Sequence, residues 1–390
     1  MDRVLTSSGK PERIVICALQ TYSKIGGLQN FNRRAFQALA ERAQLRGQPN
    51  PAALLSGDEP ASITPIPGIE FIPVKDSLIF LSKAVWRGAR EADILILCHV
   101  RLAIIAPVVR LLRPKLPILM FVHGIEVWTR PQLPNWHYFD PWFLPAVTRV
   151  ASVSAFTGAT MSRVFKIPAG KFRLLPNAVD LLPEPPGPRK LEGATILCVS
   201  RLSARDRKKN VDQVIRAIAK LKDLIPSLRF EIVGDGKLRA ELETLAKDLG
   251  VFDKVTFLGQ VEDEELNAAY ARATVFAMPS SKEGFGIVYL EAWLRGLPVI
   301  CSSEGASSEV VSDGVDGFVV DPDDVSMIAD RLHRLLTQPE LAKAMGENGL
   351  QKVRRNYLDA NFRANLNAIL DELVDEGTPR APAPCEVGNA

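Results

Sequence analysis

At 390 residues the chain is longer than a single hydrophobic core usually grows, which predicts two domains. Apolar residues at 47% and charged residues at 24% describe a globular protein, and a net charge of +3 over this length excludes a general nucleic-acid binder. The charge is uneven, because the first 180 residues carry 22 Lys and Arg against 12 Asp and Glu and are near +10, leaving the remainder near −7.

Met1 to Pro11 is polar with no apolar centre, so no secretory leader is expected. From Arg13 onward short β-branched runs alternate with longer helical patterns, the mark of βαβ units and a mainly parallel sheet. Strands are predicted at Ile14 to Leu19, Glu70 to Pro73, Ile94 to Cys98, Ile118 to Val122, Arg149 to Val153 and Phe172 to Leu175. Two segments between them mix apolar and basic residues: Leu78 to Arg90, with Ile79, Phe80, Trp86, Lys83, Arg87 and Arg90, and Leu102 to Lys115. Each reads either as a surface for anionic lipid or as a core-facing helix with a basic outer face. The apolar stretch Leu102 to Leu112 is interrupted by Pro107 and Arg110 and is too short to span a bilayer.

Residues 181–193 hold four prolines and no apolar periodicity, which predicts a stiff linker after a domain at 13–180. A second βα series fills 194–356. Its strands are predicted at Thr195 to Val199, Arg229 to Val233, Lys254 to Phe257, Thr274 to Met278, Pro298 to Cys301 and Gly317 to Val320. Helices are predicted at Val211 to Leu224, Lys237 to Leu249, Asp263 to Ala273 and Ile287 to Arg295. A last helix at 357–374 is expected to complete the first domain, and 375–390, with its Pro-Ala repeats, to be a disordered tail. The fold class is therefore α/β, with two tandem Rossmann-like doubly wound sheets facing a cleft. Cys17, Cys98, Cys198 and Cys301 lie in or beside apolar runs and Cys385 in the tail, with no C-x-x-C pair, which fits buried thiols in a reducing cytoplasm.

The segment richest in chemistry follows the predicted strand ending at Met278. Pro279-Ser280-Ser281-Lys282-Glu283-Gly284-Phe285-Gly286 makes a small-residue turn, and a helix then runs through Ile287, Leu290 and Glu291. The free amides and positive dipole end of that helix can receive a phosphate. Glu283 and Glu291 stand at most about 12 Å apart along a helix, so one carboxylate can meet each end of a nucleotide sugar, Glu283 the transferred sugar and Glu291 a ribose. Asp321-Pro322-Asp323 spells the D-x-D of metal-dependent transferases, but its place between a strand and a helix reads as an N-cap. Walker A, H-E-x-x-H, G-x-S-x-G and kinase patterns are absent.

The second half resembles the C-terminal domain of retaining glycosyltransferase family 4, with an E-x7-E motif at Glu283 to Glu291. The likeness extends through Val199-Ser200-Arg201-Leu202, Lys209-Asn210, Val233-Gly234-Asp235-Gly236, Val255 to Gly259 and Ala277-Met278-Pro279-Ser280, over nearly all of 172–350. The resemblance implies a GT-B fold and a hexosyltransferase that needs neither metal nor cofactor. It implies that Arg201 and Lys209 bind the donor diphosphate, and that Leu258 and Gly259 with Gln260 face the base. It further implies that Gly26 and Gly27 lie beneath the donor phosphates or the acceptor, and that Gly284, Phe285, Gly286 and Ile287 present amides to the donor. His123, in Phe121-Val122-His123-Gly124, is expected to meet the transferred sugar, whereas His99 reads as structural. Pro176-Asn177-Ala178-Val179-Asp180 departs from the family's P-N-G-V-D by Ala178, which need not adopt a positive φ.

The expected donor is GDP-mannose or UDP-glucose, and the expected acceptor a saccharide or lipid-linked saccharide of bacterial surface polysaccharide or glycolipid synthesis. The cell site expected is the cytoplasm, in peripheral contact with an anionic membrane. Two other readings stay open: an epimerase or phosphorylase of the same architecture, and a non-catalytic binder of sugar nucleotides.

Overall fold

A computed structural model describes residues 12–24, 26–128, 140–182 and 193–377. The first sheet contains β1 (Ile14–Leu19), β2 (Ala52–Ser56), β3 (Glu70–Val74), β4 (Ile94–Leu97), β5 (Ile118–Val122), β6 (Arg149–Ser152) and β7 (Phe172–Leu174). All its pairings are parallel, in the order β3-β2-β1-β4-β5-β6-β7. The second contains β8 (Ala194–Val199), β9 (Leu228–Val233), β10 (Val255–Gly259), β11 (Val275–Ala277), β12 (Val299–Ser302) and β13 (Gly317–Val320), again parallel, in the order β10-β9-β8-β11-β12-β13.

Parallel sheets covered on both faces need strands buried on both faces, and β4, β5 and β12 are buried throughout. In each sheet the strand order reverses beside its first strand, between β1 and β4 and between β8 and β11. Ligands of doubly wound sheets bind outside the carboxyl ends of the strands at such switch points. The loops leaving β1, β4 and β5 carry Gly26-Gly27, His99 and His123, and those leaving β8 and β11 carry Arg201 and Glu283.

β2 is not legible in the sequence. Ala-Ala-Leu-Leu-Ser holds no β-branched residue and follows Pro-Asn-Pro, yet it pairs on both sides and is almost wholly buried. Tertiary pairing overrides weak strand propensity here.

The final helix runs Asp359–Gly377, starting and ending later than 357–374. It packs on helix Gly27–Arg46 of the first sheet, where Asp371 accepts from Arg42 at 2.6 Å and Phe362 meets Phe31 edge-on at 5.1 Å. These contacts carry the helix through 375–377, the first residues of the expected tail; 378–390 lie outside the described residues, as do 183–192 of the expected linker. Tyr357 and Leu358 serve the crossing instead, the Tyr357 carbonyl accepting from the Val179 amide at 2.9 Å. Ala178 is buried and keeps a negative φ. Asp321 is not a helix cap: it accepts from the Asp323 amide at 2.9 Å, and Asp324 caps helix Val325–Thr337 by accepting from Met327. Among the described residues no helix is long and apolar enough to cross a membrane.

Candidate active site between the two sheets

The Glu283 loop leaves β11 and is stitched to the loop leaving β8. Asn210, held at φ 57, donates its side-chain amide to the Pro279 carbonyl at 2.7 Å and to Ser281 Oγ at 2.6 Å. The Ser281 amide donates to the Lys208 carbonyl at 2.9 Å. This brings Lys209 onto Glu283, and the two form an ion pair with both side chains about four-fifths buried. Arg201 lies at the rim: its side chain is 76% exposed, and among the described residues Asp206 pairs with it at 3.5 Å. A largely buried pair beside an exposed arginine leaves cationic charge available to an incoming anion.

Beyond Glu283, Gly286 caps helix Ile287–Leu294 at φ 93, with no side chain accepting from the first amides. A Cβ at Gly286 would run into the Tyr289 ring, so the turn needs glycine on two counts. The uncapped amides and helix dipole suit an anion. Phe285 is buried edge-on against Tyr357 at 5.7 Å, so it contributes its backbone and anchors the loop. Glu291 is largely buried, accepting from Tyr270 Oη at 3.3 Å, and burial raises its pKa. Leu258 and Gly259 end the edge strand β10 and Gln260 follows it, the Gly259 carbonyl accepting from the Gly234 amide at 2.7 Å.

Across the cleft, Gly26 precedes and Gly27 opens helix Gly27–Arg46, and a Cβ on Gly27 would sit 3.9 Å from Ile287 Cγ2. The amino ends of the two helices therefore face one another. The loop before Gly26 hangs on Asp58, a buried carboxylate at the end of β2 that accepts from the amides of Thr21, Tyr22 and Ser23 at 2.7 to 2.8 Å.

His123 ends β5. Its Nε2 lies 3.2 Å from the Cys98 carbonyl, which only accepts, so Nε2 carries the proton and Nδ1 is left as the acceptor. Burial lowers its pKa to about 4, so the ring is neutral at physiological pH. His99 caps the next turn, its Nδ1 accepting from the Arg101 amide at 3.0 Å. The His123 amide donates to Glu126 at 3.0 Å. Glu126 is 4% exposed, its other oxygen has no partner among the described residues, and burial pushes its pKa up to about 7.

A carboxyl raised above its unfolded value near 4.5 stays protonated in the folded state, so its contribution to stability is lost as pH rises through about 5 to 7. Glu126→Gln is expected to gain melting temperature relative to wild type between pH 5 and 8. A pH-independent difference between the two proteins in scanning calorimetry would show that Glu126 does not titrate there.

The two halves touch backbone to backbone. A Cβ on Gly284 would lie 2.8 Å from the Gly124 Cα and closer still to the His123 carbonyl. Glu309, from the short helix Ser307–Val310, accepts from the Ala155 amide at 2.8 Å and from the Phe156 amide, capping helix Ala155–Phe165 of the other sheet. The Ala306 amide donates to the Glu283 carbonyl at 3.0 Å, joining this contact to the Glu283 loop.

Lys209, Glu283, Gly27, Ile287, His123 and Gly284, singled out in the sequence, are brought to one cleft by the fold, while Asp58, Glu126 and Glu309 were not singled out. Glu126 was open to reading, three residues past His123; the other two have meaning only once the sheets are built.

The family model described as Glycosyl transferases group 1 matches residues 185–352, and that described as Glycosyltransferase Family 4 matches 26–181. A GDP-mannose-dependent alpha-(1-6)-phosphatidylinositol monomannoside mannosyltransferase of Mycobacterium tuberculosis is 35% identical over 306 residues, 74% of this chain and 75% of that protein. The Mycolicibacterium smegmatis protein of the same description is 35% identical over 57% of this chain and 61% of its own length. Sucrose-phosphate synthase from Thermosynechococcus elongatus superposes with a TM-score of 0.74 at 22% identity, covering 93% of this chain and 99% of that one, which shows the shared fold. Matched in both halves, and related over three quarters of its length to a mannosyltransferase, the chain belongs to glycosyltransferase family 4 and is a glycosyltransferase of the GT-B fold.

Proposed function

We propose that the enzyme transfers a mannosyl group from GDP-mannose to a saccharide or lipid-linked saccharide, with net retention at the anomeric carbon and without a metal. The observation that carries this reading is the Lys209–Glu283 pair beside the uncapped amino end of helix Ile287–Leu294. When the donor enters, its diphosphate takes the ammonium and the amides, and Glu283 is released to accept from sugar hydroxyls. As the C1–oxygen bond to the diphosphate breaks, charge grows on the departing oxygen, where Lys209, Arg201 and the helix amides stabilise it. The acceptor oxygen bonds to C1 on the same face, and its proton passes to the departing phosphate oxygen. Neutral His123 positions the sugar through an acceptor nitrogen; at a pKa of about 4 it cannot donate a charge.

GDP-mannose is preferred to UDP-glucose because relatives at about 35% identity are described as GDP-mannose-dependent. Their described acceptor, a phosphatidylinositol monomannoside, supports a lipid-linked saccharide. Thermal shift in a panel of nucleotide sugars tests the donor, since a ligand at 100 times its Kd stabilises by about 2.7 kcal/mol. GDP and GDP-mannose are expected to raise the melting temperature, with UDP-glucose inert; the reverse order would overturn the donor. Proton NMR of the first-formed product tests the stereochemistry, an inverted anomer being incompatible with the mechanism. Donor binding without turnover in any acceptor pool would favour a non-catalytic role.

A further inference from the structure

Helices Ser77–Arg90 and Ile105–Leu112 lie side by side on one face of the first sheet, joined by Arg113, which donates to the Ala89 carbonyl at 3.3 Å. Each buries one stripe, Phe80, Ala84 and Gly88 on the first and Ile105, Ala106 and Val109 on the second. Core packing is thereby satisfied, yet the outer stripes are also apolar. Leu78, Ile79, Trp86, Val108, Leu111 and Leu112 are exposed, Leu111 to 83% and Leu78 to 75%. Isolated exposed apolar residues are ordinary, but six on two adjoining helices form a patch.

Ile79, Lys83, Trp86 and Arg90 repeat at four- and three-residue spacing along one line, and Val108, Leu111, Leu112 and Lys115 along another. Neither 77–90 nor 94–117 contains an Asp or Glu. Lys83, Arg90, Arg101 and Lys115 are exposed and have no ion-pair partner among the described residues, whereas Arg87 is held by Glu70 and Glu91. The nearby carboxylates are engaged, Asp76 capping the first helix and Glu70 and Glu91 holding Arg87, so an apolar stripe edged with unpaired cations complements an apolar layer edged with anions.

We infer that this face docks on an anionic lipid bilayer, the leucines and Trp86 entering the headgroup boundary and the four cations meeting lipid phosphates. A second copy of the chain fits the charge poorly, because a two-fold contact would set these cations against their own counterparts. Both helices follow the carboxyl ends of their strands, so Leu78 and Arg101 stand at the cleft side of the patch. A bilayer there presents a lipid-linked acceptor to the site. The inference extends the proposed acceptor, but its test uses neither donor nor acceptor, so the two can fail separately.

Cosedimentation of the full chain with phosphatidylcholine vesicles, with and without an equal share of phosphatidylglycerol, measures the docking. Wild type is expected to bind the anionic vesicles only, and less as salt rises. The Leu111→Ser/Leu112→Ser and Lys83→Glu/Arg90→Glu variants are each expected to lose about tenfold or more in partitioning. All four positions are solvent-facing, so their melting temperatures should stay at the wild-type value. Leu224→Ser, at an exposed leucine on the other half, should bind as wild type. Wild type left in the supernatant, or either double variant binding undiminished, overturns the proposal. So does a dimer that the Leu111→Ser/Leu112→Ser change dissociates while no vesicle is bound.

Discussion

Lys209→Ala is expected to lower kcat/KM by about 10²–10³, the cost of removing one preorganised charge donor from a developing oxyanion. The loss has two sources. The diphosphate forfeits its largely buried cation, and Glu283 is left as a largely buried carboxylate without the partner that holds it at the loop. Glu283→Ala should cost a similar factor, because it removes the sugar-orienting carboxylate and frees Lys209 from its position. Since the residues act through one contact, the double variant should fall little below the worse single. Initial rates of sugar transfer measure all three, with Arg207→Ala as the control. Arg207 pairs with Glu241 on the exposed flank of the same loop, and its loss should change rates by less than about twofold. Wild-type turnover by Lys209→Ala would remove the ion pair from the mechanism.

Gly284→Ala is expected to cut kcat by about a hundredfold or more while leaving the melting temperature nearly unchanged. The added methyl has no space, because Gly124 and the His123 carbonyl close directly on that position from the other sheet. Neither sheet's own core includes this contact, so each half folds, but the halves must stand apart and the reacting groups lose alignment. Gly284 is the better test than Gly124, which sits at φ 93 and would add backbone strain to the clash. Small-angle scattering with the donor present should show a larger radius of gyration for the variant. Unchanged kcat with an unchanged radius would mean that the loops tolerate the methyl and that the contact does not limit catalysis.

Much of the fold was readable because doubly wound sheets repeat a short-range signal. Apolar runs such as Ile118 to Val122 and Ile94 to Cys98 fall within one residue of the observed strands. The donor loop was readable for a related reason: Glu283-Gly284-Phe285-Gly286 between a strand and a helix is a local motif whose glycines state their backbone needs. The missing strand had a larger consequence than its five residues suggest. Without β2, Asp58 reads as one more polar residue in a loop; with β2 against β1, the same carboxylate holds the Thr21 to Ser23 amides and fixes the path to Gly26. The Asp321-Pro322-Asp323 motif was read as the cap, but the cap is Asp324, the next residue, because helix boundaries are set by which side chain reaches the free amides.

Leu78 to Arg90 left a choice between a core-facing helix and a surface for lipid, and the structure shows why the pattern was ambiguous: that helix has both an apolar buried face and an apolar exposed one. Periodicity reports that apolar residues share a side, but not what covers that side.

The sequence by itself determined two βα series, the strand-turn-helix at Glu283 and the family to which that turn belongs. Only the tertiary structure decided that Lys209 meets Glu283, that Gly124 closes on Gly284, that Glu309 caps a helix of the other sheet, and that an apolar basic face stays uncovered. Secondary structure and turns arise from residues a few positions apart. Those contacts instead join residues separated by 74 and 154 positions in the Lys209–Glu283 and Ala155–Glu309 cases, and strand order alone determines which distant loops share a cleft.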